Sequence, residues 1–200
     1  MQHLRNRIAQ SNMKRLIFSI ICVFLTCSFI EYGNESSKIL WNQDYKLKWN
    51  DFQGSPDSLR TDSEESVTKT RIEVTTKISK NKIEFEVPCY FEKNKSWTVD
   101  DSSRLLLNHE QLHFDISEIY ARVLRQKLLK IKYSSSKEIE LEVKELYHEV
   151  FSASVNFQNK YDKETNHSKN KDKQLMWNER VKDILKSTYD YRTVLIVINK

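Results

Sequence analysis

Ser103-Arg-Leu-Leu-Leu-Asn-His-Glu-Gln-Leu-His-Phe-Asp-Ile-Ser-Glu-Ile-Tyr-Ala-Arg122 is the run in which the chain changes period. Leu105, Leu106, Leu112, Ile116, Ile119, Tyr120, Val123 and Leu124 fall on one arc of a helix, while Gln111, Asp115, Glu118 and Arg122 fall on the opposite face. With Asp100, Asp101 and Ser102 as N-cap choices, the spacing predicts a helix from about Ser103 to Ile131. A second helix is expected over roughly Lys137 to Lys160 and a third from about Asp172 to Ser187.

Upstream of Trp97 the period is two. Ile72, Val74, Thr76 and Ile78 alternate with polar residues, Ser79-Lys-Asn-Lys82 reads as a turn, and Ile83, Phe85, Val87 and Cys89 resume the alternation. Such a pair of runs is a β-hairpin with one buried face. Pro88 lacks the N–H that a central ladder needs, so an edge position or a bulge is expected there. Ile39, Trp41, Tyr45, Leu47 and Trp49 extend the same pattern toward the N-terminus, and the β-branched tail Val194–Ile198 reads as a candidate last strand. Strands first and helices later make the fold class α+β, with antiparallel hairpins leading into a helical part.

Composition narrows the function classes. The net charge is +5, but the first thirty residues hold Arg5, Arg7, Lys14 and Arg15 and no acid. Taking those four from the 33 basic residues leaves 29 against 28 acidic ones, so the remainder has no basic field to attract a nucleic acid. Two glycines exclude Gly-rich phosphate loops, and three cysteines exclude a disulfide scaffold. Lys14-Arg15 followed by fifteen uncharged residues, Leu16 to Ile30, fits a signal peptide or an N-terminal anchor. Residues 1–30 are therefore read as a targeting segment and 31–200 as one exported domain, periplasmic, secreted or tethered, whose membrane contact is confined to that segment. Cys89, the remaining cysteine outside that segment, reads as a buried small hydrophobe.

His109-Glu110-Gln111-Leu112-His113 is an H-E-x-x-H. Histidines at i and i+4 lie about 40° apart on one helix face, close enough for both imidazoles to hold one zinc. Glu110 sits about 100° round, where it reaches a metal-bound water without ligating. Both histidines fall within the apolar arc, which is better explained by zinc ligation than by two hydrogen-bonded core histidines. Glu118 points away and pairs more readily with Arg122. Glu145, His148 and Glu149 fall on the solvated side of the second helix. His167 follows the end of that helix in a polar loop, and spacing alone leaves it open between a third ligand and an exposed loop histidine.

The run Leu106–Arg122 resembles the signature of a bacterial family of predicted secreted zinc-dependent proteases, a domain of unknown function grouped with the zincin-like peptidases. Leu47-Lys-Trp49-Asn-Asp51-Phe52-Gln-Gly54-Ser-Pro56, Tyr161-Asp162-Lys-Glu-Thr165-Asn-His167 and Gln174-Leu-Met-Trp177 resemble its other motifs, so the similarity spans about Lys46 to Leu185. The resemblance implies a zincin-like domain with Zn²⁺ on His109, His113 and His167, Glu110 as general base, and a peptide or protein substrate. It also places Ser168 where the family has glycine. Tyr161 is a candidate transition-state stabiliser, although its helix phase favours packing. Two rival readings share the metal ligands: an exported binding domain stapled by zinc without catalysis, and a zinc amidase acting on a non-protein, cell-wall amide.

Overall fold

A computed structural model describes residues 37–56 and 65–199. The targeting segment expected over residues 1–30 lies outside them. The fold is α+β: short antiparallel strands come first, three helices follow, and one strand closes the chain. The strands are β1 (Lys38–Leu40), β2 (Ser66–Val67), β3 (Thr70–Ile72), β4 (Thr75–Ile78), β5 (Lys82–Glu86), β6 (Cys89–Glu92), β7 (Trp97–Thr98) and β8 (Leu195–Asn199). The helices are α1 (Arg104–Leu128), α2 (Ser136–Thr165) and α3 (Lys171–Ser187).

The expected hairpin forms across Ser79–Lys82, with Ile78 opposite Ile83. Pro88, however, sits neither at an edge nor in a bulge. It falls between β5 and β6, each the central strand of its own three-stranded sheet, ordered β4-β5-β8 and β1-β6-β3. The proline takes the gap where the ribbon leaves one sheet for the other, so no ladder bond is lost. Its carbonyl accepts from Glu73 N at 3.1 Å, and Val87 N donates to Val194 O at 3.0 Å. The apolar tail is β8, paired antiparallel along all of β5, with Ile196 opposite Phe85.

Three apolar clusters share α1 as their common wall. Ile83, Phe85, Val87 and Ile196 pack on Leu124, Leu128, Ile139 and Val150. Leu47, Phe52, Cys89 and Phe91 pack on Phe114 and Ala121, and Leu112, Ile116 and Ile119 meet Tyr161, Trp177 and Val181. Cys89 is fully buried, and burial raises its thiol pKa well above the ordinary value. Gly54 sits against Asn94 O and Ser96 O, which would lie 2.9 Å from any Cβ there.

Elements on both sides bury the polar face of α1 as well. Gln111, Asp115, Glu118 and Arg122 are all under a tenth exposed. Each is paired: Trp41 Nε1 donates to Asp115 Oδ1 at 2.8 Å, Leu47 N to Gln111 Oε1 at 2.8 Å, and Arg122 Nε to Glu118 Oε1 at 2.9 Å. Arg125 joins them through Glu118 and the Val87 carbonyl.

Both long helices begin on serine caps. Ser103 Oγ accepts from Leu106 N, one residue later than the caps expected, and Ser135 forms a capping box with Glu138. The second helix runs five residues past the expected end at Lys160, carrying Tyr161 and Asp162 on its last turns. It stops where Asn166 enters the left-handed region, at φ 48°.

Candidate metal centre

α1 and α2 run antiparallel, which sets His109 beside Tyr161 and Asp162 and His113 beside Gln158. His109 is 2% exposed. Its ring stacks on Tyr161 with centroids 4.5 Å apart, and His113 meets the same ring edge-on at 5.0 Å. A buried aromatic therefore fixes both imidazole planes.

The nitrogens that face away from the centre are held by amides. His113 Nδ1 lies 2.6 Å from Gln158 Oε1, and His109 Nδ1 lies 3.1 Å from Gln174 Oε1. Gln158 cannot be turned round, because its Nε2 donates to the His113 carbonyl, which can only accept. Nδ1 of His113 consequently carries a proton, so that in the neutral ring Nε2 presents a lone pair. With the amide placed as it is, the same holds for His109.

Those lone pairs converge. The two Nε2 atoms are 3.1 Å apart, and Asp162 Oδ1 lies 3.1 Å from His109 Nε2 and 2.9 Å from His113 Nε2. His109, His113 and Asp162 thus offer three ligand atoms around one point. Separations of this size approach the edges, about 3.3 Å, of a tetrahedron with zinc bonds of about 2 Å. Three electron-rich atoms at such distances need a cation or a proton among them. As a protein-only centre, a proton serves: burial disfavours the His113 cation, but Asp162 outweighs it and lifts the pKa to about 9. Burial likewise opposes the Asp162 anion, yet bonds from the two histidines hold its carboxyl well below the usual range.

Glu110 lines the same groove at 3% exposure, and its Oε2 has no hydrogen-bond partner among the described residues. An unpartnered buried carboxylate oxygen is costly unless a water or ligand meets it. The donor set and this orphaned oxygen both fit a divalent cation with an open position for water.

His167 stands at the mouth of the groove, 65% exposed at its side chain, with Nδ1 3.9 Å from Asp162 Oδ1. It is next to the three converging atoms and not among them. Asn166, His167 and Ser168 all have positive φ (48°, 49° and 73°), a strained turn for three residues other than glycine. Tyr161 is fully buried, and its hydroxyl is engaged by the His109 carbonyl and Gln174, which gives it the packing role. His148 and Glu149 lie away from the groove, with Glu149 paired to Lys127.

A family described as bacterial proteins of unknown function, DUF922, matches residues 34–168. The chain belongs to DUF922. The match takes in His109, Glu110, His113, Gln158, Asp162 and His167, and stops short of α3 with Gln174. No curated protein and no solved structure matches the chain. Asp162, Gln158 and Gln174 were not legible as site residues in this DUF922 sequence. The signal that could have found the first two was the i, i+4 spacing of Gln158 and Asp162 on a helix prolonged past Lys160.

Proposed function

We propose that this chain is an exported zinc-dependent peptidase, with His109, His113 and Asp162 as the protein ligands and Glu110 as general base. The observation that carries the reading is the convergence of two Nε2 lone pairs and one carboxylate oxygen beside an unpartnered glutamate. The chemistry a bound zinc supplies is acidification of a water and polarisation of the scissile carbonyl. Glu110 takes the proton from that attacking water and passes it to the leaving amine. Gln158 and Gln174 hold the imidazoles in the ligating tautomer, and Tyr161 locks their planes.

The family resemblance assigns the third ligand to His167, whereas the geometry favours Asp162 and leaves His167 at the entrance. A zinc-stapled binding domain has no use for Glu110, and a structural site closes its fourth position with another ligand. The test is metal analysis of the full chain purified without chelator, together with hydrolysis of an unstructured protein. About one zinc per chain is expected, with hydrolysis that Glu110→Gln abolishes while the zinc remains. Failure to take up zinc would overturn the reading.

A further inference from the structure

The groove that holds Glu110 has a volume of about 440 Å³ and is lined on one side by residues 65–70 and on the other by α2. The first wall is a strand edge. Val99 N donates to Glu65 O, and Glu92 N donates to Lys69 O. In an antiparallel ladder, bonded and non-bonded pairs alternate. From the registers Val67↔Trp97 and Arg71↔Tyr90, the odd residues 65, 67, 69 and 71 face their partner strands. Ser66, Thr68 and Thr70 therefore turn their N–H and C=O groups outward, and among the described residues no backbone partner meets them. Their position over the helix is fixed, since Thr68 Oγ1 bonds the Glu110 carbonyl at 3.4 Å and Thr70 Oγ1 bonds Ser117 Oγ at 2.7 Å.

The second wall carries Phe151 and Val155, exposed by 53% and 40% although both are large and apolar. The Phe151 ring is braced by parallel stacking on Tyr147. Val155 lies seven residues before Asp162, about 10 Å along the helix. An extended chain covers that distance in about three residues.

We propose that the groove takes an extended peptide as an added strand along Ser66, Thr68 and Thr70, and that Phe151 and Val155 select a large apolar side chain about three residues from the bond held at Glu110. The outward amide edge supplies main-chain affinity that any sequence satisfies, and the apolar pair supplies the selectivity. The assignment rests on the peptidase reading for its cleavage step and stands without it as a peptide-binding groove.

The test uses the full chain carrying Glu110→Gln, with and without zinc. The probes are fluorescent decapeptides in which one position is Phe, Leu, Ser or Asp, plus copies N-methylated at single amides. Phe and Leu peptides are expected to bind at least about tenfold tighter than Asp peptides, and Phe151→Ser/Val155→Ser should cut that preference below about threefold. N-methylation should weaken binding at alternate amides only, the period-two signature of strand addition. Leu175→Ser/Met176→Ser, changing exposed apolar residues of α3 outside the groove, should alter neither result. An unchanged preference in the Phe151/Val155 variant, or N-methyl effects without alternation, would overturn the proposal. If the parent chain hydrolyses peptides in that event, the peptidase reading survives it. If apolar peptides bind as described but the chain takes up no zinc, the groove stands and the peptidase reading falls.

Discussion

The amide of Gln158 grips His113 at both ends: its Oε1 lies 2.6 Å from Nδ1 of the ring, and its Nε2 donates to the backbone carbonyl of the same residue at 3.0 Å. Outer-shell partners of this kind set the tautomer of a ligating histidine and are typically worth about 10–100-fold in metal affinity. Gln158→Leu should therefore weaken zinc binding by about that factor. Gln158→Glu, which keeps an acceptor at Nδ1, should recover part of it. Competition against a chromophoric chelator measures both.

Asp162 and His167 predict different losses. Asp162 Oδ1 is one of the three converging atoms, so Asp162→Ala should abolish stoichiometric zinc. His167 stands 3.9 Å from that oxygen at the entrance, so His167→Ala should leave zinc bound with a smaller loss of affinity. Metal content after dialysis decides between them. The reverse order would move the third ligand to the loop.

Ser168 holds φ 73° while almost wholly buried. Glycine adopts that backbone without the steric cost an L side chain meets there, about 1 kcal/mol. Ser168→Gly should raise the melting temperature by about 2–4 °C. Ser168→Ala, which keeps the Cβ, should not. Differential scanning calorimetry of the three proteins is sufficient.

Glu118 balances Arg122 and Arg125 inside the protein, at 2.9 and 2.8 Å, with all three side chains no more than 3% exposed. Removing one partner of a buried ion pair leaves an uncompensated charge and costs about 3–5 kcal/mol. Glu118→Ala should show that loss in denaturant unfolding, although the residue is not one of the proposed ligands.

The Glu138 carboxyl is held below its ordinary value of 4.5 by bonds from Ser135 Oγ and Ser135 N at the start of α2. A depressed folded pKa means that the contribution is complete above the unfolded value and is lost as pH falls through the folded one. Glu138→Ala should therefore melt below the parent at pH 6. The gap should close as pH falls below that ordinary value and through the depressed one, as thermal melts on the acid side will show.

The α+β order, the hairpin turn at Ser79–Lys82 and the placement of His109, Glu110 and His113 on one helix were legible because each rests on short-range periodicity. What escaped reading depends on packing between distant segments. Periodicity alone sets the polar face of α1 opposite the apolar arc and names no cover for it; Trp41, Leu47 and Val87, 38 to 74 residues away in sequence, supply the partners that allow its burial. Asp162 escaped because the helix was expected to stop at about Lys160, while its true stop is the left-handed turn at Asn166. Pro88 was expected at an edge or a bulge, because one strand's sequence cannot say that two sheets meet there.

The pairing of β8 with β5 bears on where the chain can be cut. The region shared with DUF922 ends at Ser168, yet Gln174, Trp177 and Ile196, which brace His109, cover Tyr161 and complete the sheet, all come later. A fragment ending at Ser168 would keep every proposed ligand and leave the central strand β5 with an open edge, a template for self-association. Expression boundaries drawn from the family match alone would cut away the strand that covers that edge.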